Sequence, residues 1–584
     1  MTDDTAAPPA PNPLFADGTN CWQHSVADAF GWAIDGDDYF RAVRDAIGKA
    51  EREIIIVGWD IDSRLELIRD ATDPRHPSPL CETLQRLVDA NDALRVYVLS
   101  WDFALVYVLE RELLPARAFG WENSERLYFE LDGKHVSGAS HHQKLVIVDG
   151  ALAFLGGFDL TKDRWDTRDH PAEEARRIDT EGNRYPPFHD VQAVVTGAPA
   201  RCLRELADQR WQNATGTGLP ALDAPGADAG ERLWPGDVPV RARKVTAAIA
   251  RTWCDPDGGE PIREVEAAYL DMIASARHSI YIENQYFTSE SISKALAERL
   301  GQKDGPEIVM VLPTETSGWL EQATMDVLRN KALGRIHDAD RYRRLRVRSP
   351  VARGSSDDSS GTPINVHAKV MIVDGRFSRI GSANLSARSM GLDSECDLVV
   401  DDPDAALALC ADLLAEHMDA DTDTVRGRLA EDGLVATVDG MREGSGRLEA
   451  LEPEFRNTEQ LLLEPIAKIA DLEKPLVRSD AANDDEDMPT PILGWLFFAG
   501  VMLIVAFWVI LGVQGSEVDV DLKEVLRDLR GLASHWFAPL LAIPAFVVGS
   551  LVVAPVTGMI AVCALLFDPW IASIVAIAGV LAAT

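Results

Sequence analysis

The composition limits what this chain can be. Its 584 residues exceed one ordinary domain, so several domains are expected. The formal net charge of −36 would repel nucleic acid phosphates unless a local basic patch overcame the field, which argues against a general nuclease. The seven cysteines are scattered and form no Cys-x-x-Cys pair. That favours a reducing compartment and argues against disulfides and a structural zinc site.

The predicted elements then follow in chain order. Residues 1–14 are polar and Pro-rich, which predicts disorder and no secretory signal, so the catalytic part is expected in the cytoplasm. Residues 15–212 alternate helical and strand patterns. Residues 213–240, rich in Gly, Ala, Asp and Pro, predict a linker, and residues 241–420 alternate again. Residues 421–490 predict a helical extension followed by an acidic linker.

Two stretches with one pattern carry the candidate chemistry. His142 and Lys144 precede an apolar run that ends at Asp149, and the same His-x-Lys-x-x-x-x-Asp-Gly pattern returns from His367 onward. Residues two apart on a strand face the same side, so each imidazole projects beside an ammonium, which suits an anionic, phosphate-like group. Upstream strands recur at nearly the same spacing. We therefore expect two similar α/β units whose His/Lys edges meet at one site.

The paired motifs resemble those of the phospholipase D superfamily, in the branch of phospholipase D proper. Supporting stretches are Ile280 to Phe287, Pro187 to Val195 and Gly381 to Leu385. The resemblance implies an α/β fold of two similar α/β/α sandwich halves. C-terminal transmembrane helices are expected to follow them, on the separate evidence of the apolar residues there. It also implies cleavage of a phosphodiester through a phosphohistidine, with His142 as the nucleophile and His367 as the acid/base. The motif spacing alone does not order the two histidines.

The residues at the two motifs suffice for such chemistry without a cofactor or metal. Two lysines neutralise the phosphate, one neutral histidine attacks phosphorus and the other protonates the leaving oxygen. The candidate catalytic residues are His142, Lys144, Asp149, His367, Lys369 and Asp374. The two aspartates stand at turns, where a structural role is at least as compatible with the pattern.

Other residues are candidates for supporting roles. Each nucleophilic imidazole needs an acceptor at its second ring nitrogen, and Asp190 and Glu395 are the candidates. Ser382 and Asn384 could donate to phosphate. The first copy has Gly157 and Asp159 at those positions, so no hydroxyl contact is expected from it. His141 is expected to be structural, and the sequence leaves open whether His189 lines the pocket.

The C-terminal part changes character. The apolar run from Ile492 to Val513 carries no charged residue and predicts a transmembrane helix at residues 491–514, rather than a buried core helix. Residues 515–584 resemble the start of the membrane domain shared by the DedA family and SNARE-associated (VTT-type) proteins. We therefore expect a truncated form of a multi-pass protein of a bacterial inner membrane, with its catalytic domain in the cytoplasm.

These features together predict a membrane-attached phospholipase D-type enzyme. Its partners would be a glycerophospholipid substrate, water or an alcohol as acceptor, and the lipid bilayer, with no nucleic acid. A cardiolipin-synthase-like phosphatidyltransferase would use the same residues. A protein of another class is also considered, namely a membrane transport or scaffold protein whose phospholipase D-like domain only regulates.

Overall fold

The structure is a computed structural model that describes residues 14–102, 126–136, 138–314, 319–352, 361–445, 447–453 and 471–474. The chain divides into one unit at Met1–Ser479 and a second at Asp480–Thr584. The described residues all belong to the first unit. The predicted transmembrane helix at 491–514 and the membrane-domain segment 515–584 lie outside them. Within the described ranges, no helix has both the length and the apolar character that a bilayer span requires.

The first half of the repeat is a mixed sheet with helices on both faces. Its elements are β1 Gln23–Ile34, α1 Asp35–Gly48, β2 Glu53–Gly58, α2 Leu80–Ala90, β3 Arg95–Trp101, β4 Leu127–Asp132, β5 Leu145–Val148, β6 Leu152–Gly156, β7 Phe188–His189, β8 Val191–Gly197 and α3 Ala198–Thr215. The strands pair in the order β4-β3-β2-β5-β6-β8-β1. The β4–β3 and β3–β2 pairs are parallel, and the other pairs are antiparallel.

The second half repeats this order. After the short helix α4 Ala229–Leu233, its elements are β9 Ala242–Trp253, β10 Ile262–Arg263, α5 Glu264–Ser275, β11 Ser279–Asn284, α6 Glu290–Gly301, β12 Glu307–Val311, α7 Trp319–Ala339, β13 Leu345–Ala352, β14 Thr362–Pro363, β15 Asn365–Val366, β16 Lys369–Val373, β17 Phe377–Gly381, α8 Ala387–Gly391, β18 Glu395–Asp401 and α9 Pro403–Met418. The strands pair in the order β13-β12-β11-β16-β17-β18-β9. The expectation of an α/β fold is confirmed.

Three further elements extend the second half beyond the repeat. They are α10 Thr422–Glu431, α11 Leu434–Ser445 and β19 Leu448–Ala450. Strand β19 pairs antiparallel with β13, on the side of β13 away from β12. Within the predicted helical extension, the described residues thus form two helices, and the strand β19 follows them.

Buried apolar side chains form three clusters, one of which is shared by the two halves. Strand β1 pairs antiparallel with β9, so a single hydrogen-bonded ladder runs from one half into the other. Each half has one cluster that packs against its outer helices. The third cluster contains side chains of both halves, including those of α3 and α9. Strand β5 contributes to two of these clusters, because Val146 and Val148 face one and Leu145 and Ile147 the other. The motif strands are therefore buried on both faces, as predicted.

The motif aspartates lie at the turns that end the motif strands. Asp149 and Asp374 have φ of 51° and 54°, in the left-handed region that Asp tolerates better than most residues. The Asp149 carboxylate accepts the backbone N–H groups of Arg52 and Glu53 at 2.8 and 3.0 Å. Asp374 repeats the arrangement in the second half. Each aspartate thus fastens the end of its motif strand to the start of the neighbouring antiparallel strand, which is β2 in the first half and β11 in the second.

Replacing a motif aspartate should loosen this junction. In Asp374→Ala, the N–H groups of Arg277, His278 and Ser279 lose their acceptor, and alanine is strained at positive φ. We expect a loss of about 2–4 kcal/mol in unfolding free energy, measured by denaturant unfolding, with faster amide hydrogen exchange at the start of β11. Asp338→Ala, at an exposed position of α7, is the matched control. Equal stability of the two variants would contradict this assignment.

Candidate active site

The two motifs meet where the halves touch. Strand β7 pairs in parallel with β15, so that His189 lies opposite Val366, the residue before His367. His141, the residue before His142, forms the corresponding bridge to Ser394. Each motif histidine therefore enters the site beside a segment of the other half. The expectation that both His/Lys edges form one site agrees with this geometry.

Each imidazole is held by a carboxylate from the opposite half. The Nδ1 atom of His142 lies 3.0 Å from Oε2 of Glu395, which belongs to the second half. The Nδ1 atom of His367 lies 2.7 Å from Oδ2 of Asp190, which belongs to the first. Both predicted acceptors thus contact a motif histidine. The sequence did not reveal that they are exchanged, because Asp190 and Glu395 occupy equivalent positions of the repeat.

Glu395 is held as an anion opposite His142. Burial by itself would raise the pKa of this carboxyl, but the charge and hydrogen bond of His142, with the hydroxyls of Ser382 and Ser389, lower the pKa overall. Those hydroxyls donate to Glu395 at 2.5 and 2.6 Å. Ser382 was predicted to donate to phosphate. The structure instead commits its buried hydroxyl to Glu395, so it is a positioning residue.

Gly157 explains why the first copy of the motif has no serine there. A Cβ atom at position 157 would lie 2.2 Å from Oδ1 of Asp190, too close for any side chain. The missing side chain makes room for the carboxylate that holds His367. The first half therefore pairs Gly157 with Asp190, and the second pairs Ser382 with Glu395.

The two lysines have different partners. Lys144 Nζ donates to the His142 carbonyl at 3.0 Å and lies 3.1 Å from Oδ2 of Asp159. Lys369 Nζ donates to Oε1 of Gln285 at 3.1 Å. Asp159 and Asn384 are equivalent in the repeat, so at this position Lys144 faces a carboxylate and the second half carries a neutral amide. Burial lowers the pKa of Lys369 to about 7, since the attraction of Asp190 only partly offsets the cost of burying the ammonium.

The charges around the two motif imidazoles differ. Burial, followed by the positive charges of Lys369, Arg164 and Lys144, holds the pKa of His367 well below its usual range. Its imidazole is therefore neutral, whereas His142 faces the Glu395 anion. Arg164 was not predicted as a site residue. It lies in the polar loop after β6, where several charged residues of both signs occur and no sequence pattern distinguishes it from the others.

The other predicted residues lie around the site. The motif aspartates Asp149 and Asp374 bind backbone amides at the turns, so the structure supports their structural reading. Asn384 is nearly buried, and its Oδ1 accepts no hydrogen bond from the described residues. His141 is buried, stacks on Trp253 with 5.6 Å between ring centroids, and lies 3.2 Å from Asp132 Oδ1. A structural role for His141 fits these contacts.

Comparison with known proteins identifies the domain that carries the second motif. A family profile described as "Cardiolipin synthase, PLD-like domain" matches residues 269–417. Residues 269–417 are thus similar to a phospholipase D-like domain. This domain contains His367, Lys369, Asp374 and the Glu395 carboxylate that holds His142.

Individual related proteins align with a longer part of the chain than the family profile does. The chain is similar to phospholipase D A of Dictyostelium discoideum, with 26% identity over 63% of this chain and 32% of that one. It is also similar to phospholipase D alpha 2 of Oryza sativa subsp. japonica, with 25% identity over 79% of this chain and 70% of that one. The chain thus spans about a third of the first relative's length. A solved phosphatidylserine synthase from Haemophilus influenzae Rd KW20 matches 76% of this chain and 94% of its own, at 12% identity and a TM-score of 0.45.

Filling the space at Gly157 should release His367 from its carboxylate. In Gly157→Ala the new methyl group displaces Asp190, so the His367 imidazole should lose its fixed tautomer, at a cost of about 1–3 kcal/mol in stability. Imidazole NMR should show altered His367 signals and unchanged His142 signals. Gly301→Ala, where a Cβ meets no atom within 4 Å, is the matched control. Unchanged His367 signals in Gly157→Ala would contradict this role of Gly157.

Proposed function

We propose that this protein is a phospholipase D-type phosphodiesterase. It would cleave the headgroup phosphodiester of glycerophospholipids, or transfer the phosphatidyl group to an alcohol. The observation that carries the proposal is the joint site itself, in which His142 and His367 are each held by a carboxylate of the other half, beside two buried lysines. The phospholipase D relatives support the same substrate class. By the same proposal the apolar run Ile492 to Val513 tethers the enzyme to a membrane, with the catalytic domain in the cytoplasm.

The carboxylates prepare both imidazoles for a two-step reaction. Glu395 accepts from Nδ1 of His142, which leaves the lone pair of Nε2 free to attack phosphorus. The P–O bond to the headgroup then breaks, and His367 gives its proton to the departing oxygen. In the second step His367 takes a proton from water or an alcohol, whose oxygen displaces Nε2 of His142 from phosphorus. The free enzyme returns when the product leaves and His367 releases this proton to solvent.

Substrate binding itself would charge His367 for its role as an acid. In the free enzyme, burial and then the nearby cations hold the pKa of His367 well below its usual range. An anionic phosphodiester bound between Lys144, Lys369 and Arg164 offsets those charges, so the pKa of His367 rises when substrate is present. Protonation of His367 is thereby coupled to occupancy of the site.

A phosphatidyltransferase of the cardiolipin-synthase type is the second candidate. The family description that matches residues 269–417 favours it. The same histidines and lysines serve both reactions, because the acceptor alone distinguishes water from the hydroxyl of a second lipid. Product analysis therefore separates the two candidates.

Lipid turnover tests the proposal. The full chain would be assayed on vesicles of phosphatidylcholine, phosphatidylethanolamine and phosphatidylglycerol, with and without a primary alcohol. We expect phosphatidic acid, replaced by phosphatidyl alcohol when alcohol is added. Activity should fall by about 10³-fold or more in His142→Ala and His367→Ala, because each histidine serves both steps.

The control for that assay is His337→Ala, at an exposed position of α7, which should keep full activity. Cardiolipin as the main product would favour the transferase. Absence of turnover on all three lipids, or full activity in either motif variant, would overturn the proposal.

The pH profile tests the role of Lys369. Since burial lowers the pKa of Lys369 to about 7, its ammonium loses its proton as the pH rises through that value, and kcat/KM should fall above it. Lys369→Arg keeps a positive charge throughout, so its profile should lack this fall even if kcat is lower. Lys294→Arg, at an exposed position of α6, is the control. An identical alkaline fall in Lys369→Arg and the wild-type protein would contradict the assignment.

A further inference from the structure

Behind the active site, four buried side chains converge from both halves. Asp35 at the start of α1, His170 in the loop after β6, and His189 in β7 belong to the first half, and Glu416 in α9 belongs to the second. Each offers an atom able to bind a metal ion, and these atoms lie within 4.8 Å of one another. Their side chains are at most 1% exposed. None of the four takes part in the proposed reaction.

Hydrogen bonding alone does not satisfy this cluster. His189 Nδ1 lies 2.9 Å from Asp35 Oδ1 and 2.8 Å from Glu416 Oε1. His170 Nε2 lies 3.1 Å from Asp35 Oδ2 and 3.3 Å from Glu416 Oε1. Each nitrogen thus faces two carboxylate oxygens, although a single N–H points at only one. Asp35 Oδ2 is completely buried and accepts no hydrogen bond from the described residues.

The nitrogen–oxygen separations approach those of a tetrahedral metal site. An ion bound at about 2.0–2.1 Å by nitrogen and oxygen places its ligand atoms about 3.3 Å apart. Each imidazole nitrogen lies 2.8 to 3.3 Å from Glu416 Oε1 and from one oxygen of Asp35, which is Oδ1 for His189 and Oδ2 for His170. Two imidazoles and two carboxylates together supply the four ligands and a charge of −2.

The outer nitrogens of both histidines are also arranged as in metal sites. His170 Nδ1 lies 2.9 Å from Asp166 Oδ2, and His189 Nε2 lies 2.9 Å from Glu283 Oε2. A carboxylate at the far nitrogen fixes the ring and the tautomer and makes the inner nitrogen a stronger ligand. Arg177 in turn holds Asp166 at 3.0 Å.

We propose that Asp35, His170, His189 and Glu416 bind one divalent ion of the zinc class, which joins the two halves behind the active site. The ion would replace the protons now shared between nitrogen and oxygen. The backbone N–H of Asp35 donates to the carbonyl of Asp190 at 2.9 Å. The metal site would thereby fix the position of strand β7 and of the following residue Asp190, which contacts His367. This proposal departs from the sequence-based expectation of no metal, and it does not depend on the proposed lipid activity.

Zinc binding by the full chain tests the proposal. Protein dialysed against a chelator would be titrated with Zn²⁺, and the bound metal counted by elemental analysis. To remove the catalytic histidines as ligands, the double variant His142→Ala/His367→Ala is titrated in parallel. We expect one tightly bound ion per chain in both proteins. Absence of a tight ion in either of them overturns the proposal.

Two variants locate the ion. His170→Gln should lose it, while the exposed His337→Gln, the matched control, should keep it. Because His170→Gln could fail to fold, Asp166→Asn removes only the carboxylate behind His170 and should weaken Zn²⁺ binding by about 10–100-fold. In the catalytic double variant, Co²⁺ should give the visible absorption of a tetrahedral site with nitrogen and oxygen ligands. An unchanged Zn²⁺ affinity in Asp166→Asn, or an octahedral Co²⁺ spectrum, overturns the assignment of these ligands.

Discussion

A partner at the second ring nitrogen fixes the tautomer and orientation of a catalytic imidazole, and here each half supplies that partner to the other. His142 depends on Glu395, and His367 depends on Asp190. Neither half therefore contains a complete catalytic group. The β1–β9 pairing, the shared apolar core and the short β7–β15 contact keep the two carboxylates within reach of the opposite imidazoles.

The repeat is symmetric in its strands but not in its chemistry. A glycine leaves room for the short Asp190 side chain, whereas two serine hydroxyls stabilise the longer Glu395 as an anion. Lys144 has Asp159 beside it, and Lys369 has the neutral Gln285. These differences place the His367 imidazole in a positive field and the His142 imidazole opposite an anion. Two nearly identical motifs thus give the two imidazoles of one site different electrostatic surroundings.

The sequence predicted the features that local spacing determines. Both His-x-Lys pairs, their buried strands and the acceptors Asp190 and Glu395 could be read from pattern and repeat. The exchange of acceptors could not, because a repeat makes both assignments equally consistent with the spacing. The direction of the Ser382 hydroxyl also depends on its neighbours in space. The cluster around His170 was missed because its members come from distant segments that share no motif.

If His142 and His367 act in one site through a covalent intermediate, that intermediate can be trapped. The full chain would be rapidly quenched during turnover of a glycerophospholipid and its peptides analysed by mass spectrometry. We expect a phosphatidyl adduct on His142 that decreases in Glu395→Gln, since this variant removes the negative charge that holds the His142 ring. Turnover without an adduct on His142, or an adduct that forms equally in Glu395→Gln, would show that this mechanism is wrong.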